Sequence, residues 1–142
     1  MSLYVLDTDH VSLYRYGRSS VTARVDSTPA EQLATTVITI EEQISGWYTQ
    51  IRQARDADKL ARAYEGLFQV VEGATRIRVL PFTPPAIRRY LELRKLLPRL
   101  GKLDLSIAAI VLEYQGTLVT RNRRDFDQVP GLLIEDWSVQ QP

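Results

Sequence analysis

Cysteine is absent from the 142 residues, which excludes a disulfide framework and any thiolate-bound metal. One histidine, His10, leaves too few imidazoles for a histidine-based zinc centre. No apolar run approaches the length that spans a bilayer, and the first residues lack the pattern of a signal peptide. The expectation is a soluble, cytoplasmic protein with no membrane partner. Charge of one sign is missing as well. Lys and Arg number 18 against 17 Asp and Glu, a formal net charge of +1, so affinity for a polyanion must come from local patches. There is no repeat, low-complexity tract or linker, and the length suits a single domain, residues 1–142, around one core.

What is present is organised around Gly101 to Leu112. Leu105, Ile107, Ala108, Ile110, Val111 and Leu112 make a helix that is apolar almost all round, and such a helix belongs inside a domain. Asp104 stands at its start, where unpaired backbone N–H groups favour negative charge. Taken alone, Asp104 reads as a helix cap.

Strands and helices alternate along the rest of the chain. Leu3 to Leu6 reads as a buried strand, followed by a helix from about Asp9 and a second short helix over Ser20 to Asp26. Leu33 to Thr39 has the β-branched density of a second strand, with Thr39 capping a helix in which Glu42 takes the capping-box position. Ala57 to Ala74 completes a helical hairpin broken near Asp56. Ile77 to Phe82 is a third strand, and Thr83-Pro84-Pro85 opens the next helix. Thr117 to Thr120 and Leu132 to Ile134 supply the fourth and fifth strands, with a single turn from Arg123 to Asp127 between them. This order implies an α/β fold with a central, mainly parallel five-stranded sheet flanked by helices. Sites in such sheets lie off the carboxyl ends of the strands.

The acidic residues sort onto that edge. Asp7 leaves the first strand, Glu42 stands after the second, Asp104 opens the buried helix, and Asn122 and Asp125 follow the fourth strand. Hard oxygen donors without thiolate select Mg²⁺ or Mn²⁺, the cations that neutralise charge developing in phosphodiester cleavage. Three gathered carboxylates without a cation would force one to hold its proton. Thr8, Ser12, Ser106 and Thr120 adjoin these acids and are candidates to orient them, or ordinary turn and cap residues. Arg121, Arg123, Arg124, Arg15 and Lys102 are candidate phosphate contacts for RNA; Arg18 also follows the first motif, and the alternative is solubilising surface charge.

Leu6-Asp7-Thr8-Asp9, Ile38 to Gly46, Asp104 to Ala109, Thr117 to Phe126 and Val129-Pro130-Gly131-Leu132, in this order and spacing, resemble the PIN-domain nucleases, and most of all the VapC toxins of bacterial toxin–antitoxin pairs. The resemblance spans essentially the whole chain. It implies metal-dependent RNA cleavage with Asp7, Glu42 and Asp104 as the metal-holding, catalytic carboxylates, a small antitoxin partner and a homodimer. Glu42 aligns rather than Glu41 because the family's glutamate stands four before the glycine, here Gly46. Two positions depart from the pattern. Gln43 replaces a usual aliphatic residue, and the fourth acidic position is Asn122, leaving Asp125 either to restore the missing charge or to cap its turn. The apolar hairpin face of Trp47, Tyr48, Tyr64 and Phe68 serves either a second chain or the core. The rival enzymatic reading is a haloacid-dehalogenase-type phosphatase built on Asp7-Thr8-Asp9-His10-Val11; it leaves Glu42 and Asp104 without a purpose. A PIN module that binds RNA or protein without cutting is the third.

Overall fold

The computed structural model describes residues 2–139. Chain order is β1 (Tyr4–Leu6), α1 (Thr8–Arg15), α2 (Ser19–Asp26), a 3-10 turn (Ala30–Gln32), β2 (Leu33–Thr36), α3 (Val37–Gln53), α4 (Ala57–Ala74), β3 (Arg78–Leu80), α5 (Pro84–Leu96), α6 (Lys102–Glu113), β4 (Thr117–Val119), α7 (Arg123–Phe126) and β5 (Leu133–Glu135). The five strands form one sheet in the order β3-β2-β1-β4-β5, and every neighbouring pair is parallel. The α/β architecture expected from the sequence is therefore present. The chain winds outward from β1 to β3 on one side and from β4 to β5 on the other, so β1 and β4 flank the switch point.

Side chains alternate across the strands and build two cores. Val5, Ala34 and Leu118 face the layer of α5 and α6, packing with Ile107, Ile110, Leu93 and Phe126. Their neighbours Leu6, Leu33 and Val119 face the opposite layer, with Val21, Val25 and Trp137. Helix α6 is buried continuously from Leu105 to Val111, as its apolar circumference requires.

Two helix starts differ from the expectation. β2 ends at Thr36, whose Oγ1 accepts the Thr39 N–H at 3.2 Å and caps α3. Thr39 is thus inside the first turn, and Glu42 lies beyond any capping box. The run Thr35 to Ile40 is β-branched throughout, so composition there does not distinguish strand from helix; the capping hydroxyl decides. Likewise α6 begins at Lys102 with Gly101 as its cap residue, and Asp104 is the third helical residue and caps nothing. The helical hairpin divides the aromatic face. Trp47 packs on Gly66, where any Cβ would collide with its ring, whereas Tyr48, Tyr64 and Phe68 remain exposed. Among the described residues no helix is long and apolar enough to cross a membrane.

Candidate metal-binding carboxylate edge

Each candidate acid reaches the carboxyl edge of the sheet by a different local device. Asp7 directly follows β1 and caps α1, its Oδ1 accepting the His10 N–H at 2.8 Å. Its buried position follows from the central strand that delivers it. Glu42 lies one turn into α3, where the Thr8 hydroxyl donates to Oε1 at 2.7 Å; Thr39 Oγ1 stands 3.2 Å from that hydroxyl. Asp104 projects from the first turn of α6, which runs antiparallel to the strands and so starts at the same edge. Asp125 is presented by α7, after β4.

Asp104 senses the other acids. Burial raises the Asp104 carboxyl above its ordinary range, and the negative charges of Glu42, Asp125 and Asp7 raise it further. Among the described residues none donates a hydrogen bond to the Asp104 side chain, and no ion pair involves Glu42, Asp104 or Asp125. Among the described residues, no three carboxylate or imidazole groups stand close enough as placed to enclose a metal ion. The donor set still fits a hard divalent cation: all oxygen, net negative, and carrying a carboxyl whose ionisation is opposed until positive charge arrives.

Asn122 has its amide occupied. Its Oδ1 accepts the Asp125 N–H at 3.4 Å, capping α7, and its Nδ2 donates to Asp125 Oδ2 at 3.1 Å. The Thr120 hydroxyl in turn accepts the Asn122 N–H at 3.0 Å. Thr120 and Asn122 thus build the turn that presents Asp125.

The remaining candidates disperse. The Ser106 hydroxyl donates to the Lys102 carbonyl at 2.8 Å, serving the helix backbone rather than a carboxylate. Ser12 makes no side-chain hydrogen bond to Asp7 or Glu42 among the described residues. Arg121 is paired with Asp9 and Arg123 lies 4.0 Å from Asp127, while Lys102 and Arg124 are exposed on the rim with no ion-pair partner among the described residues. Arg15 is not at the rim. It ends α1, eight residues or about 12 Å along the helix from Asp7, and burial lowers its guanidinium. Arg15 instead lines a cavity of about 1090 Å³ with Val11, Val25, Ile40 and Gln43; none of the four edge acids lines it. Arg18 donates to the Ser138 carbonyl, a structural role.

Sequence reasoning missed a neighbour of Asp7 and the acid behind it. His10 is fully buried with Nδ1 3.3 Å from Asp7 Oδ1, and Asp136 Oδ1 lies 3.5 Å from His10 Nε2. The three-residue spacing from Asp7 to His10 was a readable cap signal; nothing in the sequence joins either to Asp136.

The PIN domain family matches residues 4–132. Ribonuclease VapC2 of Rickettsia felis is 33% identical over 67 residues, 44% of this chain and 50% of that protein, so the chain spans about half the length of this curated relative. Among solved structures, VapBC2 from Rickettsia felis bound to a promoter DNA fragment has a TM-score of 0.76 at 23% identity, over 95% of this chain and 98% of that one. DNA-bound VapBC from Salmonella typhimurium has a TM-score of 0.76 at 26% identity, over 96% and 99%. FitAcB from Neisseria gonorrhoeae has a TM-score of 0.72 at 23% identity, over 95% and 98%. A parallel sheet with carboxylates at its switch point, and a family match running from β1 to the residue before β5, place the chain in the PIN-domain family.

Proposed function

We propose that this chain, acting as a single PIN domain, is a divalent-metal-dependent endoribonuclease working in the cytoplasm as the toxin half of a toxin–antitoxin pair. The observation that carries the reading is the Asp104 carboxyl at the switch point, opposed by its burial and by the charges of Glu42, Asp125 and Asp7, with no ion pair to Asp104 among the described residues. Asp7, Glu42 and Asp104 would hold Mg²⁺ or Mn²⁺, and Asp125, braced by Asn122, supplies the fourth carboxylate. When bound, the cation supplies neutralisation of phosphoryl charge and activation of water. The chain's own residues orient the site: Thr8 holds Glu42, and Thr120 with Asn122 sets α7. Lys102, Arg123 and Arg124 lie on the rim, where cations meet a phosphate backbone. The phosphatase reading needs Asp9 in the site, but Asp9 is half-buried and paired with the exposed Arg121.

Similar solved structures include a toxin–antitoxin complex from Klebsiella pneumoniae and a member of the VapBC family of toxin–antitoxin systems from Mycobacterium tuberculosis, which supports a small antitoxin as partner. Its seat is the cavity between α1, α2 and α4. There the Gln43 amide is buried with no hydrogen-bond partner and Arg15 has no ion pair among the described residues, so a peptide segment would satisfy both. A second copy of the chain is assigned to the stripe Leu60, Tyr64, Phe68 and Val71, which are 39, 53, 53 and 56% exposed along one face of α4.

The deciding experiment is cleavage of an end-labelled pool of structured RNA in Mg²⁺ or Mn²⁺, with EDTA and Asp7→Asn as controls. Cutting is expected, and it disappears in both controls. Cutting that survives Asp7→Asn would refute the assignment, and hydrolysis of a phosphate monoester instead of RNA would revive the phosphatase.

A further inference from the structure

His10 is the chain's one imidazole and it is wholly buried. Space-filling alone would not require both ring nitrogens to be engaged, yet they face in opposite directions toward different partners. The Trp137 backbone N–H donates to Nε2 at 3.2 Å, so Nε2 is an acceptor and the ring hydrogen resides on Nδ1. Nδ1 stands 3.3 Å from Asp7 Oδ1, the oxygen that also takes the His10 backbone N–H at 2.8 Å. Two donors therefore hold Oδ1 and leave Oδ2 as the free oxygen of Asp7.

The far side of the ring is equally anchored. Asp136 Oδ1 is 3.5 Å from Nε2, but it already accepts the Ser138 N–H at 2.8 Å and the Ser138 hydroxyl at 2.6 Å, so Trp137 keeps the imidazole. The Ser138 carbonyl accepts from Arg18 and from the Ser20 hydroxyl, at 3.2 and 3.0 Å. The Trp137 ring is buried, 5.4 Å from the Tyr4 ring and with the Arg24 guanidinium 4.8 Å above it. The segment after β5 is thereby locked to β1, α1 and α2.

From this geometry we propose that His10 is a positioning residue for Asp7, and that through it the segment Asp136 to Ser138 holds the metal-facing carboxylate in place. The proposal rests on the reading of Asp7 as a metal ligand. Hydrogen bonds that orient a ligating carboxylate set metal affinity, and losing one costs about 10- to 100-fold.

Two substitutions separate the two ring nitrogens. In His10→Asn the amide nitrogen stands where Nδ1 stood and keeps the donor to Asp7. In His10→Gln the amide stands where Nε2 stood, keeping an acceptor for Trp137 but losing that donor. Mn²⁺ binding to the full chain, measured by electron paramagnetic resonance without RNA, is expected to weaken about 10- to 100-fold in His10→Gln and less than about threefold in His10→Asn. Equal affinities in the two variants would reduce His10 to a satisfied core residue and overturn the proposal. A wild-type chain that binds no Mn²⁺, or an Asp7→Asn variant that binds it normally, would overturn the metal reading itself, and this proposal with it. Should either His10 variant fail to fold, the wild type supplies the test. Its single imidazole gives unambiguous ¹⁵N resonances, expected to report hydrogen on Nδ1 and a proton signal there that moves when Mg²⁺ is added. Hydrogen on Nε2, or an Nδ1 proton indifferent to Mg²⁺, would refute it.

Discussion

Asp136, behind His10, and Asp104, which senses Asp7 directly, are both partly buried carboxylates, and the fold treats them oppositely. Burial pushes the Asp136 carboxyl up, but the Ser138 hydroxyl and amide, helped by the Arg123 charge, outweigh it and hold the group below its ordinary range. Among the described residues Asp104 receives no donor, and burial together with three neighbouring acids holds it above its ordinary range. Asp136, behind His10, has its charge met by donors from Ser138, whereas Asp104, at the switch point, is left without one among the described residues. A carboxylate left without donors at a switch point marks a site.

The largest effect should come from erasing the difference. Asp104→Asn is expected to lower RNA cleavage on the order of 10³-fold, because a lost metal ligand forfeits several kcal/mol of charge stabilisation. Asp136→Asn is expected to stay within about tenfold of wild type, the lower end of what a bond behind a ligand costs. Comparable losses in initial-rate assays would show that the two corners do one job.

A smaller effect separates the two residues of the α7 turn. Asp125→Asn should cost about 10- to 100-fold in cleavage and raise the Mg²⁺ concentration needed for half-activity. Asn122→Ser, which keeps a capping oxygen for the Asp125 N–H, should cost less than about tenfold. The reverse order would make Asn122 the fourth ligand and return Asp125 to a purely structural part.

The smallest effect is on stability, and its sign differs between the corners. For Asp104 the ionised form is disfavoured in the fold. Its penalty is absent below the ordinary carboxylate range and complete once pH exceeds the raised folded value. Asp104→Asn should therefore stabilise the metal-free protein at pH 7, on the order of 1 kcal/mol or less after solvent screening, with the gain vanishing as pH falls. Asp136 contributes stability that is present above the ordinary range and lost as pH falls through its lowered value. Asp136→Asn should destabilise at pH 7, by about 1 kcal/mol, and become neutral in acid. Thermal melts of both variants and wild type across pH 3 to 7 check this; shifts of the same sign would dissolve the distinction. Adding Mg²⁺ should stabilise the wild type and erase the advantage of Asp104→Asn.

Much of the molecule was determined by the sequence alone. Apolar runs of three or four residues alternating with helical periods specify a parallel α/β sheet, because only helical crossovers return the chain to the same edge. The all-round apolar α6 could only be interior, and Thr83 ahead of Pro84 and Pro85 could only start a helix. The acids at the carboxyl edge were readable for the same reason, since each sits where a strand ends or a helix begins. The tertiary structure alone decided the rest. Whether Thr36 or Thr39 caps α3 depends on which hydroxyl meets an amide, a matter of ångströms that β-branched composition does not encode. Arg15 follows Asp7 closely in the chain, yet a helix carries it to a cavity that none of the edge acids lines. His10 and Asp136 are 126 residues apart and meet at 3.5 Å only because β5 pairs with β4 beside β1. Local pattern is written in neighbours along the chain, whereas the donors that satisfy one carboxylate and desert another come from segments the fold brings together.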